Sequence, residues 1–227
     1  MSTIDDWIAP ASLFADRQAA GRLLAERLVH ERAGDAVVVG LARGGVVVAA
    51  EVAAALGLPL DAVAVRKVGH PWQPEYAIGA VAPGDGVFVR SHDGLTDEEV
   101  AAAVEAAREK AAALDLRLHA AHPALDLGGR RCILVDDGLA TGASMVAAVR
   151  WARSRGASRV VAAVPVGARD TVAPLRDEAD DVVCPHELDV FLAVGVWYEV
   201  FGQVEDEDVV RLLARVREAS EVSREEG

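Results

Sequence analysis

Short, continuous apolar runs alternate with stretches of helical periodicity through most of this chain. Such runs are typical of strands that are buried on both faces, because helices between them in sequence cover those faces. The alternation therefore predicts an α/β fold, in which a parallel twisted sheet is flanked by helices. The predicted strands cover residues 36–39, 60–65, 132–135, 160–166 and 190–194.

Helix signals organise the rest of the chain. Thr96 and Glu99 form a capping box, which predicts the start of a long Ala-rich helix that ends near His119. An acidic turn at Asp206 suits the dipole at the start of a last helix. The expected divisions are a core at 14–201 that contains a helical insertion at about 94–122, a packed C-terminal helix at 202–219 and a tail at 220–227.

The charge balance limits the partners that this chain can take. Its 227 residues include 23 basic and 36 acidic side chains, which gives a net charge of −13. This charge repels phosphate backbones, so we expect no nucleic-acid partner. No apolar stretch reaches the roughly 18–20 residues of a membrane span, and the start lacks a signal-peptide pattern. We therefore expect a cytoplasmic protein with no membrane partner.

Residues 67–76 interrupt the α/β rhythm, because two prolines and a glycine lie within this short segment. Proline lacks the backbone N–H that helices and central strands require, so we expect an exposed, flexible loop. Loops of this kind on rigid scaffolds often act as lids. This one begins at the basic pair Arg66 and Lys67.

The stretch 132–144 carries the clearest chemical signal. A predicted strand ends in two carboxylates, Asp136 and Asp137, and a turn of small residues then enters a helix. At the carboxyl end of a parallel strand, this order places acids beside the free amides of a helix N-terminus. The amides suit a phosphate monoester, and the acids suit hydroxyl groups or a cation, as a ribose 5-phosphate would require. The phosphate-binding candidates are Gly138, Ala140, Thr141, Gly142, Ala143 and Ser144.

This stretch resembles the signature of the type I phosphoribosyltransferases, which is an apolar strand, two acids and a T-G-x-S turn. Over about 14–201 the chain is most similar to a group of uncharacterised bacterial phosphoribosyltransferases. The resemblance implies a Rossmann-like core and a small hood built from the chain ends. It also implies that Asp136 and Asp137 hold the ribose hydroxyls of 5-phosphoribosyl-1-pyrophosphate (PRPP). Mg²⁺ would then contact the two acids indirectly, through these hydroxyls or through water.

The same resemblance implies roles for two segments near the first strands. Arg43, Gly44 and Gly45 are similar to the family's pyrophosphate-binding loop, which often contains an unusual cis peptide. Arg66 and Lys67 resemble the start of a basic loop that closes over the pyrophosphate. Glu75 resembles an acid near the reaction centre, and with Arg66, Lys67 and the two aspartates it completes the expected catalytic set.

A segment near the C-terminal end resembles the base-binding part of the purine enzymes. It contains Val194, Trp197 and Tyr198 in a chain that has few aromatic residues. Stacking on a heterocycle and ordinary packing in the core explain the two aromatic side chains equally well.

The resemblance as a whole implies a Mg²⁺-dependent transferase that moves the 5-phosphoribosyl group from PRPP to a nitrogenous heterocycle and releases pyrophosphate. PRPP and a small heterocyclic acceptor are then its ligands, and a homodimer is a possible assembly. The main alternative is a PRPP- or nucleotide-binding regulatory protein without transferase activity. An interaction scaffold, and transfer to water or to another nucleophile, also stay open.

Overall fold

The computed structural model describes residues 11–32 and 34–225. Its strands are β1 Ala36–Ala42, β2 Leu60–Ala64, β3 Arg66–His70, β4 Gln73–Val81, β5 Val87–Val89, β6 Arg131–Val135, β7 Arg159–Ala163, β8 Val166–Ala168, β9 Asp181–Val183 and β10 His186–Leu188. Its α-helices are α1 Arg17–Arg27, α2 Gly44–Leu56, α3 Asp97–Leu118, α4 Ala143–Ser154, α5 Arg169–Glu178 and α6 Asp206–Glu225. None of the helices in the described part of the chain is long and apolar enough to cross a bilayer.

The main sheet has five parallel strands in the order β2–β1–β6–β7–β9. Its strands are apolar on both faces because α4 and α5 cover one face, and α1, α2 and α6 cover the other. The predicted parallel sheet flanked by helices is confirmed. Since β1 and β6 are neighbours, with Gly40 opposite Val135, the loops that follow them meet at one edge of the sheet.

Segments from near the two ends of the chain form a small hood beside this edge. The Phe14 amide donates to the Trp197 carbonyl at 3.0 Å, and the Glu199 amide donates to the Phe14 carbonyl at 2.9 Å. Phe14, Trp197 and Tyr198 pack together with Ala20 and Val166 in an apolar cluster of their own. The predicted hood is therefore confirmed.

The prediction of a strand at 190–194 is wrong. This segment is irregular, and Val194–Trp197 forms a short 3₁₀ helix instead. Val190 and Leu192 are exposed, so the apolar run is not buried as a central strand would be. The run at 160–166 is also divided, into β7 and β8, because Pro165 between them has no N–H to donate.

Residues 67–76 form a β-hairpin rather than the loop that was expected. β3 pairs antiparallel with β4, and His70 lies opposite Gln73 at the tip. Pro71 lies in the turn, where no ladder N–H is needed. β5 completes a three-stranded sheet, and α3 packs on it, with a cluster of buried apolar side chains between them.

The capping box at Thr96 and Glu99 is confirmed, and it starts α3 at Asp97. The last helix, α6, continues to Glu225, so most of the predicted tail at 220–227 is helical. The final two residues of that tail lie outside the described residues. Residues 1–10, for which the sequence predicts no signal peptide, lie outside them too.

A buried ionic cluster around Asp61 ties α3 and α6 to β2. Asp61 is 3% exposed and accepts hydrogen bonds from His119 Nε2 at 3.1 Å and from Arg217 Nη2 at 2.9 Å. His119 Nδ1 lies 3.0 Å from the Asp115 carbonyl oxygen, so both ring nitrogens face acceptors. The hydrogen bonds to Asp115 and Asp61 raise the pKa of His119 to about 10.

We expect the free energy of unfolding to fall as the pH rises from about 6.5 towards 10. A histidine with a raised pKa in the folded state gives its full stabilisation below the unfolded pKa, and this is lost as the pH rises through the folded pKa. Denaturant titrations across this range would measure the slope, and His119→Gln should flatten it. His122→Gln is the control, and an equally steep slope in His119→Gln would contradict the assignment.

Candidate active site at the sheet edge

Asp136 and Asp137 follow β6 and lie half-buried at the carboxyl edge of the sheet. Asp136 Oδ1 accepts the Asp137 amide at 2.9 Å, which fixes the first carboxylate against the backbone. Asp137 Oδ2 accepts Arg17 Nε at 2.8 Å, and its side chain is 15% exposed. The two acids are therefore positioned by backbone and by α1, and neither is sealed in a dry interior.

Burial of these carboxylates sets their electrostatics. It raises the pKa of Asp136 well above its ordinary value, and the charge of Asp137 raises this pKa further. The Asp137 amide, Arg17 and Lys67 act in the opposite direction. Burial also raises the pKa of Asp137, whereas Arg17 lowers it. A ligand that brings positive charge or hydroxyl donors to the pair would relieve this cost.

The loop after β1 lies directly against the acid pair. A Cβ added to Gly44 would overlap Asp137 Oδ2, and one added to Gly45 would lie 2.6 Å from the Val135 carbonyl oxygen. Only glycine allows this close approach. The peptide bond between Ala42 and Arg43 is cis, as the resemblance implies. The structure thus brings the predicted Arg43–Gly44–Gly45 loop and the predicted acids together.

The turn after the acids enters α4 with glycine geometry. Gly142 has a φ of +74° and precedes Ala143, the first residue of the helix. Amides in a first helical turn have no intrahelical carbonyl partners, so those of Ala143 and Ser144 can bind an anion. Ala140, Thr141 and Gly142 line a cavity of about 590 Å³, whose charged lining residues are Arg90, Asp170, Glu178 and Asp189. The turn therefore borders an open cavity with charges of both signs.

The hood closes over the other side of the acids. The Tyr198 hydroxyl donates to the Asp137 carbonyl oxygen at 2.5 Å. A Cβ on Gly138 would lie 2.6 Å from Val194, so this segment packs tightly on the start of the turn. Trp197 and Tyr198 are buried in the hood cluster. Both rings pack against other side chains of the hood, in agreement with the interpretation that they pack in the core.

The hairpin brings only part of the predicted basic segment to the site. Lys67 lies near its base, and its charge lowers the pKa of Asp136. Arg66 is half-buried at the start of β3. Glu75 is exposed towards the tip, beyond the pair that Gly69 forms with Ala77. The fold therefore places the two cations, but not Glu75, at the end of the hairpin next to the main sheet.

Arg17 is a site residue that sequence reasoning missed. Besides binding Asp137, its Nη1 donates to the Gly202 carbonyl at 2.8 Å, and its guanidinium lies 3.8 Å from the centre of the Phe201 ring. Arg17, Arg43 and Gly44 line a second cavity of about 290 Å³ with residues 201–204. Arg17 is 120 residues from Asp137, so no local pattern could have indicated it.

One group of potential metal ligands lies elsewhere among the described residues, at His30, Glu31 and Asp181. Glu31 Oε2 already accepts Arg131 Nη1 at 2.7 Å, and Arg159 lies 3.7 Å from its other oxygen. Two arginines leave no favourable place for a cation there. The acid pair at the sheet edge offers hard oxygen ligands of the kind that Mg²⁺ prefers.

Comparison with known families agrees with this geometry. The model of the phosphoribosyl transferase domain matches residues 13–198. The chain belongs to this family. The matched range contains the glycine loop after β1, the acid pair and the turn into α4.

Individual relatives point the same way. The Mycobacterium tuberculosis protein Rv0571c, whose name assigns it provisionally to the phosphoribosyl transferases, is 45% identical over 208 residues, or 89% of this chain and 47% of that protein. The chain thus spans about half the length of that curated relative. The adenine phosphoribosyltransferase of Mycobacterium marinum is 31% identical over 169 residues, which cover 72% of this chain and 74% of that enzyme. The crystal structure of TT1426 from Thermus thermophilus has 42% sequence identity and a TM-score of 0.76, and covers 89% of this chain and 98% of its own.

Proposed function

We propose that this protein transfers the 5-phosphoribosyl group of PRPP to a nitrogen of a small heterocycle and releases pyrophosphate. One observation carries the proposal, namely that a glycine loop, a carboxylate pair and a free-amide turn meet at one sheet edge. Each of these suits one part of PRPP: the diphosphate, the ribose diol and the 5-phosphate. Membership of the phosphoribosyl transferase domain family supports the same assignment.

The ribose phosphate occupies the acid pair and the turn. Asp136 and Asp137 accept hydrogen bonds from the two ring hydroxyls, which supplies the donors that the partly desolvated carboxylates lack. The amides and hydroxyls of Thr141, Gly142 and Ser144 bind the 5-phosphate, together with the backbone of the neighbouring turn residues. The sugar is thereby fixed with its C1 atom towards the glycine loop, and its orientation lowers the barrier to reaction.

The diphosphate end lies against the loop after β1. The amides of Gly44 and Gly45, with Arg43, Arg66 and Lys67, bind the oxygens of the leaving group. As the C1–oxygen bond breaks, negative charge grows on the diphosphate and positive charge grows on the ribose ring. The cations stabilise the first charge, and Asp136 and Asp137 stabilise the second through the ring.

The acid pair also fits Mg²⁺, since it supplies partly buried carboxylate oxygens next to the diphosphate-binding loop. As the family resemblance implies, contact with the metal would pass through the ribose hydroxyls or through water, and Arg17 already occupies one carboxylate oxygen, Asp137 Oδ2. When bound, Mg²⁺ would supply additional charge stabilisation for the departing pyrophosphate.

The acceptor lies along the segment from Val194 to Tyr198, close to the acid pair. Because Trp197 and Tyr198 are packed within the hood, we assign recognition of the heterocycle to Val194 and to the backbone of this segment. The hood excludes water from C1, which prevents wasteful hydrolysis. A catalytic role for Glu75 stays a prediction.

Binding and turnover test this function separately. We expect calorimetry to detect PRPP binding in the presence of Mg²⁺, and we expect pyrophosphate release only when an acceptor is added from a panel of purines, pyrimidines and other heterocycles. Reactions without acceptor are the control for hydrolysis. Binding without release across the whole panel would favour the regulatory alternative, and absence of PRPP binding would reject the site.

A further inference from the structure

Two arginines from separate elements contact the start of α6, and a third arginine lies near them. Arg117 Nη2, from the last turn of α3, lies 2.7 Å from Asp206 Oδ2. Arg43 Nη1, from the glycine loop, lies 3.6 Å from Asp206 Oδ1 and 3.5 Å from Glu205 Oε2. Arg66, half-buried at the start of β3, lies close enough for the charges of Asp206, Arg43 and Arg117 to act on its pKa, which burial lowers.

The carboxylate at the centre of this cluster is incompletely satisfied. The Asp206 side chain is 20% exposed, and its Oδ1 atom is buried without a hydrogen-bond partner in the described chain. Its contact with Arg43 is longer than a hydrogen bond. Asp206 is therefore attracted to the arginines by charge, but only one of its two carboxylate oxygens has a hydrogen bond. An anion with more oxygens would satisfy the guanidiniums of Arg43 and Arg117 better.

The cluster adjoins the place that we assign to the diphosphate. Arg43 belongs to the diphosphate-binding loop and lines the 290 Å³ cavity with Gly44 and Arg17. Residues 201–204, which precede Glu205 and Asp206, also line that cavity. The segment that leads into Asp206 therefore lies beside the loop in this structure.

We propose that Arg117 joins Arg43 and Arg66 in binding the diphosphate group, and that Asp206 closes this anion site until the diphosphate displaces it. The proposal rests on the proposed function, because it takes the diphosphate of PRPP as the ligand. It gives α3, which lies in the insertion 94–122, a part in substrate binding. It also makes the start of α6 an internal competitor of the substrate.

Neutralising Asp206 tests the competition. Asp206→Asn should tighten the binding of inorganic pyrophosphate, measured by calorimetry with Mg²⁺, by about tenfold or more, because a charged competitor is removed. Glu207→Gln is the matched control, since it removes one charge from the same helical turn but lies exposed. It should change the affinity less than about twofold. Unchanged or weaker binding in Asp206→Asn would overturn the competition.

Arg117 is tested in the Asp206→Asn background. Arg117→Gln should weaken pyrophosphate binding about tenfold there, whereas Arg108→Gln, on the same helix, should have no effect. Equal affinity in the two double variants would remove Arg117 from the anion site.

Hydrogen exchange of the unmodified protein provides a test that does not depend on any variant. Adding pyrophosphate and Mg²⁺ should speed exchange of the amides in 202–208, because the displaced segment leaves the loop. Slower or unchanged exchange there would reject displacement. If the unmodified protein binds PRPP but Asp206→Asn binds pyrophosphate no more tightly, only the competition between Asp206 and the diphosphate is rejected. Failure of both the unmodified protein and Asp206→Asn to bind PRPP would reject the proposed function with it.

Discussion

Replacing Asp136 by asparagine is expected to make the protein more stable and, at the same time, to weaken PRPP binding at least about tenfold. The loss of binding follows because a hydrogen bond to a charged group contributes about 1.5–3 kcal/mol. The gain in stability follows because burial and the Asp137 charge both disfavour ionised Asp136. Asparagine retains the oxygen that accepts the Asp137 amide without carrying that charge.

The dependence of protein stability on pH tests whether ionised Asp136 is destabilising. Because the pKa of Asp136 is raised in the folded state, its ionisation costs stability, and this cost appears as the pH rises from the unfolded pKa through the folded pKa. Asp136→Asn should remove that pH dependence and raise the midpoint of thermal unfolding at neutral pH. Asp137→Asn should give a smaller gain, because Arg17 already compensates the charge of Asp137.

Asp85→Asn is the control for both measurements, since Asp85 is an exposed residue in the turn before β5. It should leave both the unfolding midpoint and the PRPP affinity unchanged. A less stable Asp136→Asn protein would show that this carboxylate is a structural anchor. Unchanged PRPP affinity would mean that the acid pair does not bind the ribose.

Gly45→Ala is expected to cost about 1–3 kcal/mol of stability and to abolish pyrophosphate binding. The new Cβ would lie 2.6 Å from the Val135 carbonyl oxygen and 2.9 Å from Asp136 Cα. These neighbours belong to the backbone of a buried strand and its end, so they cannot turn aside as a flexible side chain could. The start of α2 must therefore move away from the acid pair, and the glycine loop after β1 moves with it.

Chemical denaturation and pyrophosphate calorimetry would measure the two effects of Gly45→Ala. Gly128→Ala is the matched control, because the nearest atom to its added Cβ is 3.4 Å away, in the exposed side chain of Asp126. We expect that variant to keep both its stability and its affinity. If Gly45→Ala bound pyrophosphate normally, the close contact between loop and acids would have no role in the site.

Local sequence predicted the backbone structure around the acid pair well. The apolar run before Asp136, the acid pair and the Thr141–Gly142 turn follow one another along the chain, so their order fixes a strand, its end and a helix start. Parallel pairing of β1 with β6 then brings the Arg43 loop to the same edge. The strand at 190–194 and the loop at 67–76 were predicted wrongly. The number of apolar residues or prolines in a segment does not determine which other segment of the chain it packs against.

The sequence by itself determined the α/β class, the family and the order of the acid pair and the turn into α4, because neighbouring residues encode each of these. Only the tertiary structure decided that Arg17 pairs with Asp137, that Trp197 and Tyr198 fill the hood, and that Asp206 contacts Arg43 and Arg117. These contacts join residues far apart in the chain. They depend on how helices pack on the sheet, and no spacing along the sequence records that packing.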